Sequence, residues 1–313
     1  MDNFIDELNE QQKEAVTTTE GYVRIIAGAG TGKTKALTYR YAYLVDELGI
    51  STSNILCVTF TNKAAREMSK RIRQMIGDSD MGYICTFHGF CVKLLREDIH
   101  AINYPQNFVV MDSEDTEDIL KTVYENAHIQ SRTYTFDSAR DHITAMKSQM
   151  LHIPYLAEIG NEKLLADYEK AEKVEDKVFL GYLYEQKKVY GLDYDDLITI
   201  ALHILQTDES KRVKWQERMM YIMVDEFQDV SGNQYELAEI LSGYHRNLFI
   251  VGDPDQTIYT WRGARIEYIL NFDAEHEDTK TVFLDVNYRS IPEILAVSNS
   301  LIEKNKKRLP HRL

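Results

Sequence analysis

The sequence predicts an α/β fold: a parallel sheet with helices on both faces, interrupted by an inserted all-helical segment. Three observations carry this. Short, fully apolar runs alternate with amphipathic stretches near both ends of the chain, which is how strands buried on two faces read. The first run passes directly into a glycine-rich turn and then a helical pattern. Between about Asp112 and Gly191 the apolar runs vanish and charge density rises.

Taken in order, residues 22–26 form the first expected strand. After Lys33, the positions Leu37, Tyr41, Leu44, Val45 and Leu48 fall on one helical stripe. Residues 55–60 are a second strand, followed by a helix with Ala65, Met68, Ile72, Met75 and Ile76 on one face. A strand at 83–87 and a helix to about Ile99 repeat the unit. The middle of the chain reads as helices, as in NEKLLADYEKAEKVEDKVFLGYLYEQKKVY, and the α/β pattern returns near LDYDDL at 192–197. Strands at 221–224, 248–251 and 281–284 each lead into polar residues and a helix. The expected organisation is therefore an α/β domain from 1–111 and 192–313, with a helical insertion at 112–191.

The composition is globular, with 44% hydrophobic and 27% charged residues in 313. A net charge of -14 argues against a basic coat for nucleic acid. It leaves room for a local basic groove and for stacking, which needs no net charge. Cys57, Cys85 and Cys91 have no CxxC spacing and read as buried thiols of a reducing compartment. The polar start MDNFIDELNEQQ is no signal peptide, and no apolar run approaches membrane-spanning length. A cytoplasmic protein without membrane partners is the expectation.

Residues 27–34 read AGAGTGKT between a strand and a helix, the context a P-loop requires. Gly28, Gly30 and Gly32 let the backbone wrap a phosphate, with Ala29 and Thr31 between them. The helix N-terminus adds a favourable partial charge. Lys33 would reach the β and γ phosphates of ATP, and Thr34 would hold Mg²⁺. Ala27 stands where the strict pattern has Gly. A second carboxylate for the metal follows the apolar run 221–224: Asp225 suits Mg²⁺, and Glu226 suits the attacking water. Residues 252–264, GDPDQTIYTWRGA, set acids and an amide beside two aromatics, Tyr259 and Trp261. That combination suits a phosphate on one side and a nucleobase on the other.

Together with LNEQQKEAV (8–16), TFTNKAAREM (59–68), TFHGFC (86–91), LDYDDL, VDEFQD (224–229) and NYRS (287–290), these motifs make the chain resemble the first motor half of the UvrD/PcrA/Rep family of superfamily 1 DNA helicases. Their order and spacing agree as well as their content. The resemblance implies a RecA-like P-loop NTPase fold and an ssDNA-stimulated, 3′-to-5′ ATP-dependent helicase activity in DNA repair, replication or recombination. It gives Gln12 and Tyr288 to adenine, with Lys35 beside them in the place of a usual arginine. Gln228 and Gln256 go to the γ-phosphate, and Arg289 becomes an arginine finger. Phe60, Asn62, His88, Tyr259 and Trp261 line the single-strand path. Phe227 replaces a more usual tyrosine. The helical insertion is expected to meet the single-strand/duplex junction, with Lys147 contributing there. A second RecA-like domain completes such motors, and no candidate for it follows NYRS. The chain is thus expected to be an N-terminal half, slow on its own. An alternative reading is a nucleotide-binding interaction module without motor activity. A small-molecule P-loop kinase leaves TFTNKAA and YTWRGA without a purpose.

Overall fold

Six parallel strands form the main sheet: β1 (Tyr22–Ala27), β2 (Ile55–Val58), β3 (Tyr83–Cys85), β6 (Tyr221–Val224), β7 (Leu248–Gly252) and β8 (Lys280–Leu284). Their order across the sheet is β3-β2-β6-β7-β1-β8. Two further two-residue strands, β4 (Val109–Val110) and β5 (Gly191–Leu192), pair in parallel with each other. The computed structural model describes residues 4–77, 82–260, 263–302 and 304. Within it the chain divides into two compact units, Met1–Phe90 with Val213–Leu313, and Cys91–Arg212. The stretch 112–191, expected as a helical insertion, lies within the second unit.

In the first unit, every residue of β2, β6 and β7 is buried, as is all of β1 after Tyr22. Such strands need cover on both faces. Helices α1 (Glu10–Thr17), α2 (Lys33–Asp46) and α3 (Asn62–Ile76) belong to this unit. The stripes expected from periodicity are the ones that pack. Leu37, Tyr41 and Leu44 of α2 and Met68 and Ile72 of α3 join Val23, Ile25, Cys57, Met223 and Val251 in one core. Leu48, expected on the α2 stripe, lies beyond the helix and is 43% exposed.

Two buried arginines fasten this core where polar backbone would otherwise be stranded. Arg40 donates to the carbonyls of Ala15, Thr18 and Thr19 at the end of α1. Arg24 donates to Ile269 and Leu270 carbonyls and to Asp273. Cations at carbonyl-rich helix ends offset the partial negative charge there.

Helix α4 (Phe87–Asp98) begins in the first unit. The second unit holds α5 (Ser113–Asn126), α6 (Phe136–Ser148), α7 (Ile153–Leu156), α8 (Glu162–Lys170), α9 (Val174–Lys188) and α10 (Tyr194–Thr207). Its core comprises Leu120, Val123, Ile143, Leu164, Val178, Phe179, Tyr182 and Leu183 among others. Helices α11 (Glu209–Arg218) and α12 (Gly232–Ser242) follow as the chain returns to the sheet. Among the described residues no helix is long and apolar enough to cross a membrane.

Lys147 on α6 has no exposed side-chain surface, and its Nζ lies 2.5 Å from Asp193 and 2.8 Å from Asp196. Gln186 accepts a further bond from it at 3.3 Å. The expectation that Lys147 meets DNA is therefore corrected: its ammonium is consumed by two buried carboxylates at the start of α10.

Candidate nucleotide and nucleic-acid site

In open parallel sheets, ligands bind beyond the carboxyl ends of the strands. Six polar motif segments lie there: 28–34 after β1, 59–62 after β2, 86–88 after β3, 225–229 after β6, 253–256 after β7 and 285–290 after β8. Because β6, β7 and β1 are neighbours, three of these segments stand side by side. Strand β2 adds Phe60 next to the β6 segment, and β8 brings NYRS against the P-loop.

The P-loop closes on itself. Gly30 and Gly32 have φ of 78° and 92°, left-handed values that favour glycine. Thr31 is buried, and its hydroxyl donates to the Gly28 carbonyl at 2.9 Å. Gly32 caps α2, so Lys33 and Thr34 are its first two residues. A side chain on Gly30 would come within 2.6 Å of the Arg289 Cβ, and one on Gly32 within 2.5 Å of the Gln12 amide. These glycines permit close approach as well as backbone curvature.

Two segments hold the loop from outside. The Tyr288 N–H donates to the Gly30 carbonyl at 2.9 Å, and the Asn287 amide donates to the Ala29 carbonyl. Asn287 Oδ1 also accepts from the N–H groups of Arg289 and Ser290. On the other side, Asn9 caps α1 in a reciprocal box with Gln12. The Asn9 side chain donates to the Tyr288 hydroxyl at 2.7 Å, and the Gln12 side chain donates to the Thr31 carbonyl at 3.0 Å. Gln12 is 2% exposed and Tyr288 is 62% exposed. Lys35 reaches the Glu7 carbonyl at 2.8 Å and lies over the Tyr39 ring. Arg289 is exposed and makes no ion pair among the described residues. Sequence reasoning missed Asn287 and Asn9. For Asn9 a signal was present, since Asn followed three residues later by Gln is a helix-start pattern.

A chain of polar contacts crosses the three central strands. Lys33 Nζ lies 3.2 Å from Glu226 Oε2. The buried Gln228 amide donates to the same Glu226 oxygen at 2.9 Å, while its carbonyl oxygen accepts from the Asp253 N–H at 3.0 Å. Asp253 in turn accepts from the Gln256 side chain. Glu226 sits at φ 49° and ψ 46°, a left-handed conformation unusual for a residue with a side chain. Burial, with a smaller contribution from the Glu226 charge, pushes the Asp225 carboxyl up to about 6, against the pull of Lys33. Burial also raises the carboxyl of Asp253.

A cavity of about 370 Å³ opens on this chain. Thr34, Asp225, Glu226 and Gln256 line it, and so do Phe60 and Tyr259. The two rings stack with centroids 4.7 Å apart and planes inclined at 23°. Asn62 is exposed at the start of α3, and His88 is half-buried in the first turn of α4, where burial lowers its imidazole pKa. Trp261 lies outside the described residues.

The donor set fits a magnesium ion bound with a nucleotide. Asp225 is a buried carboxylate beside a second one, which a divalent cation would relieve, and Thr34 shares its cavity. No group of three or more acidic, His or Cys ligands occurs among the described residues. None is needed where phosphate oxygens and water supply most of the coordination sphere.

Fold and site together define the class: a RecA-like α/β domain with a P-loop and an acidic strand end flanking one central strand. The chain belongs to the UvrD/REP helicase N-terminal domain family, which it matches over residues 8–277. It is 38% identical over 314 aligned residues to the ATP-dependent DNA helicase PcrA of Staphylococcus aureus (strain NCTC 8325 / PS 47). The PcrA of Staphylococcus epidermidis (strain ATCC 12228 / FDA PCI 1200) matches at the same 38%. Each alignment covers 100% of this chain and 42% of the relative. The chain thus spans less than half the length of the relatives it matches.

Proposed function

We propose that this chain is the nucleotide-binding half of an ATP-dependent DNA helicase motor whose ATP hydrolysis is stimulated by single-stranded DNA. One observation carries the reading: the cavity bounded by Thr34, Asp225 and Glu226 is also bounded by the stacked Phe60 and Tyr259. A nucleotide-dependent shift of Gln256 would reach the aromatic pair without leaving that cavity.

In this reading the P-loop N–H groups and Lys33 bind the β and γ phosphates, which releases Lys33 from Glu226. Glu226 then accepts a proton from the water that attacks the γ-phosphorus, and the bond to the ADP oxygen breaks. Bound Mg²⁺, held by Thr34 and Asp225, would neutralise phosphate charge. Gln228 keeps Glu226 oriented, and Gln256 senses the γ-phosphate. Arg289, exposed and with no ion pair among the described residues, supplies charge to the transition state. Tyr288 faces adenine. Gln12 retains one amide N–H for the base after its bond to the Thr31 carbonyl. Phe60 and Tyr259, with Asn62, His88 and Trp261, carry the strand. Travel from 3′ to 5′, action at a duplex junction, a role in repair and a cytoplasmic location rest on the family resemblance.

The helix Pro292–Ile302 has no buried residue and exposes Ile294, Val297 and Leu301, continuing from Ile291. This apolar stripe suits a second RecA-like domain of the motor. Transition-state charge would then be contacted from both sides.

Turnover of ATP with and without single-stranded DNA tests the proposal. Stimulation that disappears in Tyr259→Ala, with ATP binding retained, is the expected result. Equal turnover with and without DNA in the wild type would favour a nucleotide-responsive interaction module instead.

A further inference from the structure

Helix α3 carries five basic residues and one acidic residue in fifteen, within a chain of net charge -14. The helix buries Ala65, Met68 and Ile72. The exposed stripe beside that face, at the spacing of successive turns, presents Asn62, Arg66, Lys70 and Arg73. Arg66, Lys70 and Arg73 form no ion pair among the described residues, whereas lysines and arginines elsewhere are often paired, as at Lys121, Arg140 and Lys188. They border an open groove of about 920 Å³ whose wall includes Ala65 and Ile84, the latter from edge strand β3. Asn62 lies at one end of this groove, and Thr61 and Ala64 of the same helix turn line the cavity of Phe60 and Tyr259. Unpaired cations in single file on an acidic protein are a local field that only an anion would fill.

We infer that the outer face of α3 is a second stretch of the nucleic-acid track, where Arg66, Lys70 and Arg73 follow the phosphates of a single strand that continues past the Phe60–Tyr259 stack. The inference rests on the DNA-binding reading above and extends it to residues with no part in stacking or hydrolysis. From Asn62 to Arg73 the helix rises about 16 Å, so the face adds length to the site beyond the aromatic pair. Its contacts are to backbone charge, so they add affinity without sequence preference. An acidic segment of another protein is the competing occupant. Continuity with the aromatic cavity favours the strand.

The test compares the full chain with R66Q/K70Q/R73Q, and with R66K/R73K as a charge-conserving control. Binding of short and long oligothymidylates is measured by fluorescence anisotropy across a salt series. Each phosphate contact on a single strand contributes about 0.7 to the slope of log K against log salt. The triple variant should lower the magnitude of that slope by about 2 for long oligonucleotides, and weaken their binding about tenfold or more at low salt. Short oligonucleotides that span only the aromatic pair should bind both proteins alike, and the lysine control should match the wild type. Thermal melting verifies that the variant remains folded. An unchanged slope and affinity on long DNA would overturn the inference and leave the face to an acidic protein partner. If the wild type bound neither length at low salt, the DNA-binding reading would itself fall.

Discussion

Two lysine–carboxylate clusters in this chain look alike in sequence and differ in what they can do. In the helical unit, Lys147 is surrounded: Asp193, Asp196 and Gln186 take its ammonium, and Tyr182 donates to Asp193 at 2.7 Å. Lys147 and Asp196 have no exposed side-chain surface. Although burial works against its charge, Asp193 is held below the usual carboxylate range by Lys147, whereas burial and the Asp193 charge raise Asp196. Beside the P-loop, Lys33 pairs among the described residues with Glu226 alone, whose side chain is 36% exposed, and burial keeps the Asp225 carboxyl raised in the next position. The closed cluster offers a ligand no exposed surface on Lys147 or Asp196. The open one has a cation that can change partners and a buried carboxylate, Asp225, that accepts a hydrogen bond from the Glu226 N–H but has no ion pair among the described residues. Access to an exchangeable ion pair, rather than the presence of charge, separates the site from the scaffold.

The sharpest test of the comparison is Glu226→Gln. If Glu226 is the general base, turnover should fall about 10²- to 10⁴-fold while nucleotide binding persists; steady-state hydrolysis and a fluorescent-nucleotide titration read the two effects. On the closed side, Lys147→Met should cost about 3–5 kcal/mol, because two carboxylates are left buried without their cation. Urea unfolding measures this, and a loss below 1 kcal/mol would mean the cluster is less closed than its geometry.

Asp225→Asn should act in the opposite direction. The folded carboxyl binds its proton more tightly than the unfolded one, whose pKa is near 3.9. Stability therefore falls as pH rises from about 4 through about 6 and stays reduced above that. Neutralising the residue should raise stability of the nucleotide-free chain by about 1–3 kcal/mol at pH 7.5, with the gain fading by pH 4. Melting temperatures at the two pH values settle the sign. The smallest expected effect is at the aromatic pair: Phe60→Ala should weaken single-stranded DNA binding by about 1–3 kcal/mol, the loss of one stacked base. Anisotropy titration would detect it.

How much of this was legible in the sequence depended on the range of the signal. Strands β1, β6 and β7 were visible because full burial leaves unbroken apolar runs. The P-loop was visible because its glycines and the Lys-Thr pair are adjacent in the chain. Strand β2 ended earlier than the apolar run suggested: it stops at Val58, and the Thr59 N–H makes a last bond to the Cys85 carbonyl of β3. Strands β4 and β5 escaped notice because two-residue pairs have no periodicity. Lys147 was misplaced because a buried, paired lysine and an exposed one are the same letter. The amide clamp of Asn287 on Ala29 joins residues far apart in sequence, and no local pattern announces it.

The left-handed backbone of Glu226 also bears on how this chain can vary. A glycine there would relieve a penalty of about 1 kcal/mol. Yet glycine would also delete the carboxylate that Lys33 and Gln228 address. Mutational drift toward a more robust fold and selection for turnover therefore pull this codon in opposite directions. A homologue that had adopted glycine here would mark a lineage that kept the nucleotide pocket after abandoning its chemistry.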